Sequence, residues 1–344
     1  MSQHSWMAVG VGVLVVGLSM APVDGGAQTS RTSRTETDVH RTAWGAPDLQ
    51  GVWDFRTLTP FERPEELGEK GVLTDEERAQ FEANRIAELA VRDDQEPADV
   101  VGNYNQFWFD PGTNAVETNR TSLVVDPPTG RVPALTSASA RRQTELERVR
   151  RGLLTHDITP GGWVEDMGSN GLQVRCIVGF NSGPPMTPGG YNQNVQLFQT
   201  EDYVVLLNEM VHNARIVPLD GRDHLDRGIR QWTGDARGYW DGDTLVVETT
   251  NFLRETGFRR GLSDANLHVT ERFTLVSPQT LMYEATIDDA TVWSSHWTYQ
   301  IPMQKNDQPL YEYACHEGNY GLYNMLAGAR EAEKAAEEAA GGSK

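Results

Sequence analysis

The sequence predicts a mainly β fold, an antiparallel meander closed into a barrel or a sandwich, with a few peripheral helices. Three observations predict it. From residue 203 onward the chain reads as successive strand-like segments, turn residues separate them about every 8–12 residues, and no helical pattern intervenes. Such a series favours a curled antiparallel sheet. The nearest analogy is a lipocalin-like cavity, and this analogy concerns the fold alone.

The strands are predicted from runs of β-branched and aromatic residues that alternate with polar ones. We expect them at residues 203–210, 215–219, 238–240, 245–250, 268–276, 281–288, 297–303 and 310–315. Earlier strands are expected at residues 48–55, 103–110 and 120–126. The sequences DGDT at 241–244 and SPQT at 277–280 are typical of hairpin turns.

Helices are predicted before the strands and at the tail. Thr74 and Glu77 have the spacing of a capping box, which begins a helix that continues to about residue 92. Residues 137–154 form a second, basic helix, and residues 327–344 a solvated helical tail. No linker divides the chain between residues 48 and 326, so this range is expected to be a single β-rich domain that includes the N-terminal helices.

The N-terminus has the pattern of an export signal. Residues 9–20 are apolar and uncharged, and Gly25-Gly26-Ala27 follows as a small-residue cleavage site. The apolar run is too short to span a bilayer, so residues 1–27 are interpreted as a cleaved signal peptide and residues 28–47 as a flexible lead. The mature protein is expected to be periplasmic or secreted, without a membrane span.

Charge and cysteine content narrow the possible partners. The 344 residues carry a net charge of −19, which repels phosphate backbones and argues against a nucleic-acid partner. Cys176 and Cys315 are the only cysteines, and in an oxidising compartment they are expected to form a disulfide, the alternative being two buried thiols. Neither metal nor cofactor is predicted, since the cysteines lack CxxC spacing and the histidines are scattered.

A Gly- and Pro-rich stretch at residues 179–199 is interpreted as one wall of a binding site. Asn181, Tyr191 and Asn192 supply hydrogen-bonding groups there, and the stretch carries no net charge. Long loops held between ordered elements lose much entropy and are often functional. We therefore expect these residues to contact a small-molecule or glycan substrate.

Three histidines are candidate catalytic residues. His212 lies at a predicted hairpin tip with Glu209 and Arg215 nearby, a set that could supply a base, its orienting carboxylate and an oxyanion partner. A surface hairpin with a salt bridge explains the same residues. His316 directly follows Cys315, so the disulfide would bring it near the Gly/Pro stretch.

The same bridge would bring Arg175 beside His316 and Tyr191, a set suited to proton abstraction or sugar recognition. Further along, His268 and Arg272 share one face of their predicted strand, and Glu284 lies on the facing strand. These polar faces either line a barrel interior or face solvent.

Trp297 is either a stacking platform for a substrate or part of the core. Several familiar chemistries are excluded because the chain has no GxSxG elbow, P-loop, GxGxxG turn or HExxH motif. The leading hypothesis is an exported lyase or hydrolase that acts on a carbohydrate or similar polar small molecule by His/Tyr/Glu/Arg acid–base chemistry. The alternatives are a non-catalytic ligand-binding barrel of the envelope, or a barrel cyclase or isomerase of an apolar metabolite.

Four longer motifs carry a resemblance to a known family. They are NEMVHNARIVPLDGR from Asn208, GYWDGDTLVVETTNF from Gly238, LHVTERF from Leu267 and YEYACHEGNYG from Tyr311. Over residues 103–330 the chain resembles a widespread family of uncharacterised secreted bacterial proteins. The resemblance implies an exported β-rich domain, and it assigns neither a reaction nor a catalytic residue.

Overall fold

The computed structural model describes residues 40–95, 109–149, 151, 171–253 and 265–341. They belong to one compact unit that spans Thr37–Lys344. The predicted signal peptide at 1–27 lies outside the described residues, as do most of the predicted lead at 28–47 and of the predicted strand at 103–110. The proposed division of the chain into these segments therefore stays a prediction.

Ten strands and four α-helices are formed by the described residues. The strands are β1 (Gly51–Asp54), β2 (Val124–Asp126), β3 (Asn194–Gln199), β4 (Tyr203–Asn208), β5 (Ala214–Pro218), β6 (Asp235–Asp241), β7 (Thr244–Thr250), β8 (His268–Ser277), β9 (Thr280–Asp288) and β10 (Trp297–Asn306). The helices are α1 (Asp75–Gln95), α2 (Ser137–Val149), α3 (Gly171–Val174) and α4 (Tyr320–Gly341).

All ten strands join one antiparallel sheet, which confirms the mainly β prediction. The strand order is β5-β4-β3-β1-β10-β9-β8-β7-β6, and β2 pairs with β10 as well. Two meanders, β3–β5 and β6–β10, are thus joined through β1, which lies between β3 and β10. The edge strands β5 and β6 lie next to each other without ladder hydrogen bonds, and side chains of Val217 and Leu219 pack against Gly238.

Two predicted elements differ from the observed ones. Of the stretch 179–199, residues 179–193 form a loop. The remaining residues form strand β3, in which Val195 and Leu197 are buried at alternate positions. Residues 310–315 were predicted as a strand and are not one. That segment has no ladder partner in the described part of the chain, its Tyr311 is exposed, and it is held through Cys315 instead.

Helix α1 begins as its sequence predicts. The Thr74 main-chain N–H donates to the Glu77 carboxylate at 2.9 Å, and the Glu77 N–H donates to the Thr74 hydroxyl at 3.2 Å. These reciprocal bonds satisfy two of the amide groups that a helix start leaves without partners. The predicted capping box is therefore confirmed.

The core lies on the inward face of the strands. Its largest fully buried side chains are Trp53, Trp297, Tyr283, Tyr299, Phe55, Phe252 and Phe273. On β8 the residues Val269, Glu271 and Phe273 are buried, whereas His268 and Arg272 lie on the opposite, partly exposed face. Of the two interpretations of this polar face, the structure therefore supports the outward one.

A charged pair crosses the interior of the sheet. Arg215 on β5 donates to both carboxylate oxygens of Glu271 on β8, at 2.5 and 2.9 Å. Five strands separate β5 from β8 in the sheet order, so this contact requires the sheet to curl until the two strands face each other. The Arg215 and Glu271 side chains are only 2% and 0% exposed, so the two charges depend on each other in place of water.

Replacing Arg215 by Met should destabilise the fold strongly, because the buried Glu271 carboxylate would lose its counter-charge. We expect the free energy of unfolding to fall by about 3–5 kcal/mol, measured by urea denaturation. The double variant Arg215→Met/Glu271→Leu should recover much of the loss. Arg272→Met is the matched control, since its pair with Asp241 is largely exposed and contributes less than about 1 kcal/mol. Equal effects in Arg215→Met and Arg272→Met would contradict this account.

Candidate functional site

The disulfide between Cys176 and Cys315 is formed, as the cysteine count predicted. It packs in a small cluster of its own, which we call the disulfide cluster, with the buried side chains of Met210 and Val211. Tyr191 from the Gly/Pro loop and Tyr313 pack against this cluster. The bridge therefore joins the loop, the β4–β5 connection and the segment before α4 at one place.

The backbone at this cluster adopts conformations that side chains usually avoid. Val211 has φ 60° and ψ 19°, His212 has φ 43° and Cys176 has φ 57°. A β-branched residue in the left-handed region is strained by about 1–3 kcal/mol, and such strain persists only where the surroundings impose it. Here the burial of Met210 and Val211 imposes it, and the outcome is that His212 is presented to solvent.

His212 is held in one tautomer. Its Nδ1 lies 2.9 Å from the main-chain oxygen of Tyr313. A carbonyl oxygen can only accept a hydrogen bond, so Nδ1 must carry the proton. In the neutral ring the lone pair is then on Nε2, which is the arrangement found in histidines that act as bases or ligands.

A second imidazole stands beside the first. The ring centroids of His212 and His316 are 6.4 Å apart with an angle of 57° between the planes, and both residues are exposed. We call them the imidazole pair. Within the described ranges, no group of three or more His, Cys, Asp or Glu side chains is arranged to hold a metal ion. The pair is suited to move protons to and from a molecule bound at the surface.

Glu209 and Arg215, which were predicted to act together with His212, make other contacts. Glu209 accepts from the Asn194 side chain at 2.8 Å, and the orienting role predicted for Glu209 is filled by the Tyr313 carbonyl. Arg215 points into the core and binds Glu271, so its guanidinium is not available to an oxyanion at the surface. The contact with Tyr313 could not be predicted from the sequence. It is made by a main-chain carbonyl, and because every residue has one, no residue type indicates the contact.

The Gly/Pro loop residues lie where the sequence predicted, although mainly as structural contacts. Asn181 is buried, and its side-chain amide donates to the main-chain oxygens of Tyr191 and Asn192 at 3.0 and 3.2 Å. Tyr191 meets the Phe180 ring edge-on at a centroid distance of 5.4 Å. Arg175 precedes the bridged Cys176 and is half-buried.

The predicted residues on β8, β9 and β10 lie elsewhere. Arg272 and Glu284 are direct cross-strand partners on the outer face, where Arg272 binds Asp241 and Glu284 accepts from a glutamine. His268 lies on the same face. In the described part of the chain, neither the pair Arg272 and Glu284 nor His268 makes a hydrogen bond or ring contact with the imidazole pair.

Trp297 is fully buried, so its indole belongs to the core rather than to an accessible platform. It packs there against the rings of Phe61, Trp293 and Tyr299. Of the two interpretations that the sequence left open for this residue, the structure supports the core.

Met186 anchors the Gly/Pro loop inside the sheet. Met186 is fully buried, its N–H donates to the Tyr283 hydroxyl at 2.9 Å, and its C=O accepts from the Tyr299 hydroxyl at 2.5 Å. Tyr283 in turn donates to Glu271 at 2.9 Å. Burial, and after it the Glu271 carboxylate, raise the pKa of Tyr283 well above its usual value, so it remains a donor.

This anchor was not predicted, since one methionine among glycines and prolines produces no periodicity. A weak signal was present in β8, where Glu271 occupies an inward position between Val269 and Phe273. A buried carboxylate needs partners, and a search for them would have led to the inward-facing tyrosines.

The loop then lines a cavity. A cavity of about 470 Å³ lies between α1 and residues 57–61, and Pro188 and Gly189 form part of its wall. Tyr191 follows Gly189 by only two residues, so the loop passes from this cavity to the disulfide cluster within about 7 Å of chain.

Comparisons with known proteins give no relative: no family model, no curated protein and no solved structure matches this chain. The resemblance read from the four motifs therefore stays a prediction. Within the described part of the chain, no helix is both long enough and apolar enough to cross a membrane.

The tautomer of His212 can be measured directly. In long-range ¹H–¹⁵N spectra, neutral His212 should have a protonated Nδ1 and an unprotonated Nε2, because the Tyr313 main-chain carbonyl can only accept. His296 is a contrasting reference, since its exposed ring faces the Asp126 carboxylate through Nε2, at 3.9 Å, and not through Nδ1. A protonated Nε2 in neutral His212 would contradict the hydrogen bond from Nδ1 to the Tyr313 carbonyl.

Removing the disulfide should both destabilise the fold and loosen this site. The bridge spans 139 residues of sequence, and for a loop of that length the chain-entropy model gives about 5 kcal/mol. We expect Cys176→Ser/Cys315→Ser to lose up to that amount in denaturant melts and to lose the single His212 tautomer. An unchanged melt together with an unchanged His212 spectrum would contradict a structural role for the bridge.

Proposed function

We propose that this protein is an exported acid–base enzyme, a hydrolase or lyase, that acts on a carbohydrate or similar polar small molecule at the imidazole pair. The observation that carries the proposal is the 2.9 Å contact between His212 Nδ1 and the Tyr313 carbonyl, beside the His316 ring. This arrangement gives the site one imidazole whose basic nitrogen is defined, and a second imidazole close enough to exchange a proton with the same substrate.

The proposed chemistry divides the proton transfers between the two rings. His212 Nε2 takes a proton either from a water molecule that attacks the substrate or from a carbon of the substrate. His316, when protonated, gives its proton to the leaving group. Positioned general acids and bases contribute about 10²–10⁴-fold each, and an imidazole is effective near neutral pH because its ordinary pKa lies there.

A polar, uncharged substrate suits the surroundings of the pair. Tyr311, Tyr320 and Tyr323 flank His316 in the chain and are 71–75% exposed, and their ring faces could stack on a sugar. The net charge of −19 disfavours a strongly anionic substrate. The proposed substrate contacts are Tyr191, which packs on the disulfide cluster, and Arg175, which precedes Cys176 in the chain.

Two further features fit an exported protein with a barrel-shaped domain. The disulfide is of the kind that persists in the periplasm or outside the cell. The contact between Arg215 and Glu271 across the sheet, together with the packing of β5 against β6, supports a barrel whose last seam is closed by side chains instead of hydrogen bonds.

A second candidate is a non-catalytic ligand-binding protein of the envelope. It is favoured by the outward direction of His268 and Glu284 and by an interior filled with large apolar side chains. Such an interior equally suits a barrel that acts on an apolar metabolite. These alternatives predict binding without acid–base turnover at His212.

The test uses a variant that removes the base and preserves the geometry. In His212→Asn the side-chain amide can still donate to the Tyr313 carbonyl, and Asn tolerates the positive φ at this position, but the Nε2 lone pair is lost. The wild type is screened against oligosaccharides and sugar esters with product detection by mass spectrometry. For any substrate found, kcat/KM of His212→Asn should fall about 10²–10⁴-fold.

The controls separate chemistry from folding. His296→Asn carries the same substitution on an exposed side chain away from the pair and should keep full activity. Thermal melts of the wild type and of the three variants, His212→Asn, His316→Ala and His296→Asn, should agree within a few degrees. Full turnover by both His212→Asn and His316→Ala would refute the proposal, whereas ligand binding without any product would support the second candidate.

A further inference from the structure

We propose that the cavity beneath α1 is a separate small-molecule site for a flat apolar ring that carries a positively charged amine. The cavity measures about 470 Å³, within the range of about 300–1,000 Å³ typical of ligand pockets. The inference does not depend on the imidazole pair, since none of the residues that line the cavity belongs to it.

The direction in which α1 presents its side chains is the first argument. Phe81, Asn84, Arg85 and Glu88 line the cavity, and their spacing of i, i+3, i+4 and i+7 makes them one face of the helix. A helix face packed on a core would carry apolar residues at these positions. This face carries one apolar and three polar residues, which is suited to the wall of a solvated cavity.

Contacts that lie outside the cavity hold helix α1 in place over it. The Glu82 carboxylate accepts from the main-chain N–H of Ala115 at 2.8 Å, and Asp75 accepts from the Asn119 side chain at 2.7 Å. Together with the capping box, these bonds position the first half of α1. The gap beneath the helix is therefore a built feature of the fold rather than a loose contact.

The floor and walls favour a flat apolar group. Leu58 and Leu123 are buried and form the floor. Rings surround it, contributed by Phe61, Phe81, Pro60, Pro64 and Pro188. Phe61 is itself fixed, because its ring packs against Tyr299 at a centroid distance of 4.9 Å and against Trp297 at 6.0 Å. A preformed, ring-lined slot of this kind binds planar ligands with little ordering cost.

The charges at the rim favour a cation. Arg85 and Glu88 form an ion pair at 2.8 Å, so their charges largely offset each other. Among the described residues of the lining, the remaining charge is the carboxylate of Glu66. A positively charged amine at the rim would face this carboxylate and the faces of the phenylalanine rings, both of which attract cations.

Three naphthalene derivatives of similar size test the proposal by their charge. Binding of 1-naphthylmethylamine, 1-naphthalenemethanol and 1-naphthoic acid to the full chain is measured by fluorescence and calorimetry. We expect the amine to bind about 3- to 30-fold more tightly than the alcohol, and the acid to bind most weakly. Glu66→Gln should bring the affinity of the amine closer to that of the alcohol and leave the affinity of the alcohol unchanged.

A pair of matched variants locates the site. Asn84→Trp places an indole in the cavity from an exposed helix position and should abolish binding of all three probes. Ala83→Trp introduces the same side chain on the opposite, solvent-facing side of α1 and should change nothing. Because neither position is buried, both variants should keep the wild-type melt.

The outcomes are distinct from those of the enzymatic proposal. His212→Asn should keep wild-type affinity for the amine, so a failure at either site leaves the other interpretable. Undiminished binding to Asn84→Trp would overturn the site. Equal affinities for the three probes, tightest binding of the acid, or no binding of any probe would overturn the ligand class proposed here.

Discussion

The buried pair of Arg215 and Glu271 is the interaction on which the rest of this structure depends. Two buried charges that have no contact with water need each other as partners. These two form an ion pair across the inside of the sheet. Through Tyr283 the same carboxylate reaches the main chain of Met186, so one network holds both the curvature of the sheet and the position of the loop. A polar network of this kind favours a single arrangement, because any shift would leave a buried group without its partner.

From this anchor the loop reaches two different surfaces within a few residues. Pro188 and Gly189 belong to the cavity under α1, and Tyr191 packs on the disulfide cluster. The strained backbone at Val211 and His212 is fixed on that cluster. The two candidate sites therefore rest on rigid supports, a buried hydrogen-bond network for one and a covalent bridge for the other. Such support is the condition for holding reactive groups in a defined geometry.

The sequence predicted what depends on local pattern and missed what depends on assembly. Strands from β4 to β10 follow from alternation, and the start of α1 follows from two residues in a capping box. The disulfide, which joins the segment of His316 to the residues just before the loop, follows from the presence of two cysteines in a chain that is expected to be exported. The pairing of β1 between β3 and β10 could not be read, since a short strand has no pattern that specifies its neighbours. Likewise, the polar face of α1 looks the same in sequence whether it borders solvent or a cavity.

The seam between β5 and β6 has a consequence for the behaviour of the protein in concentrated solution. An edge strand presents a row of unpaired amide and carbonyl groups that can recruit strands from other molecules. Here the two edges lie against each other, and the close fit depends on the missing side chain at Gly238, where a Cβ would come within 2.8 Å of Val217. A side chain at that position has to displace Val217 or Leu219, so we expect substitution of Gly238 to weaken the packing of β5 against β6. We also expect such a substitution to leave the two edges more open to edge-to-edge association.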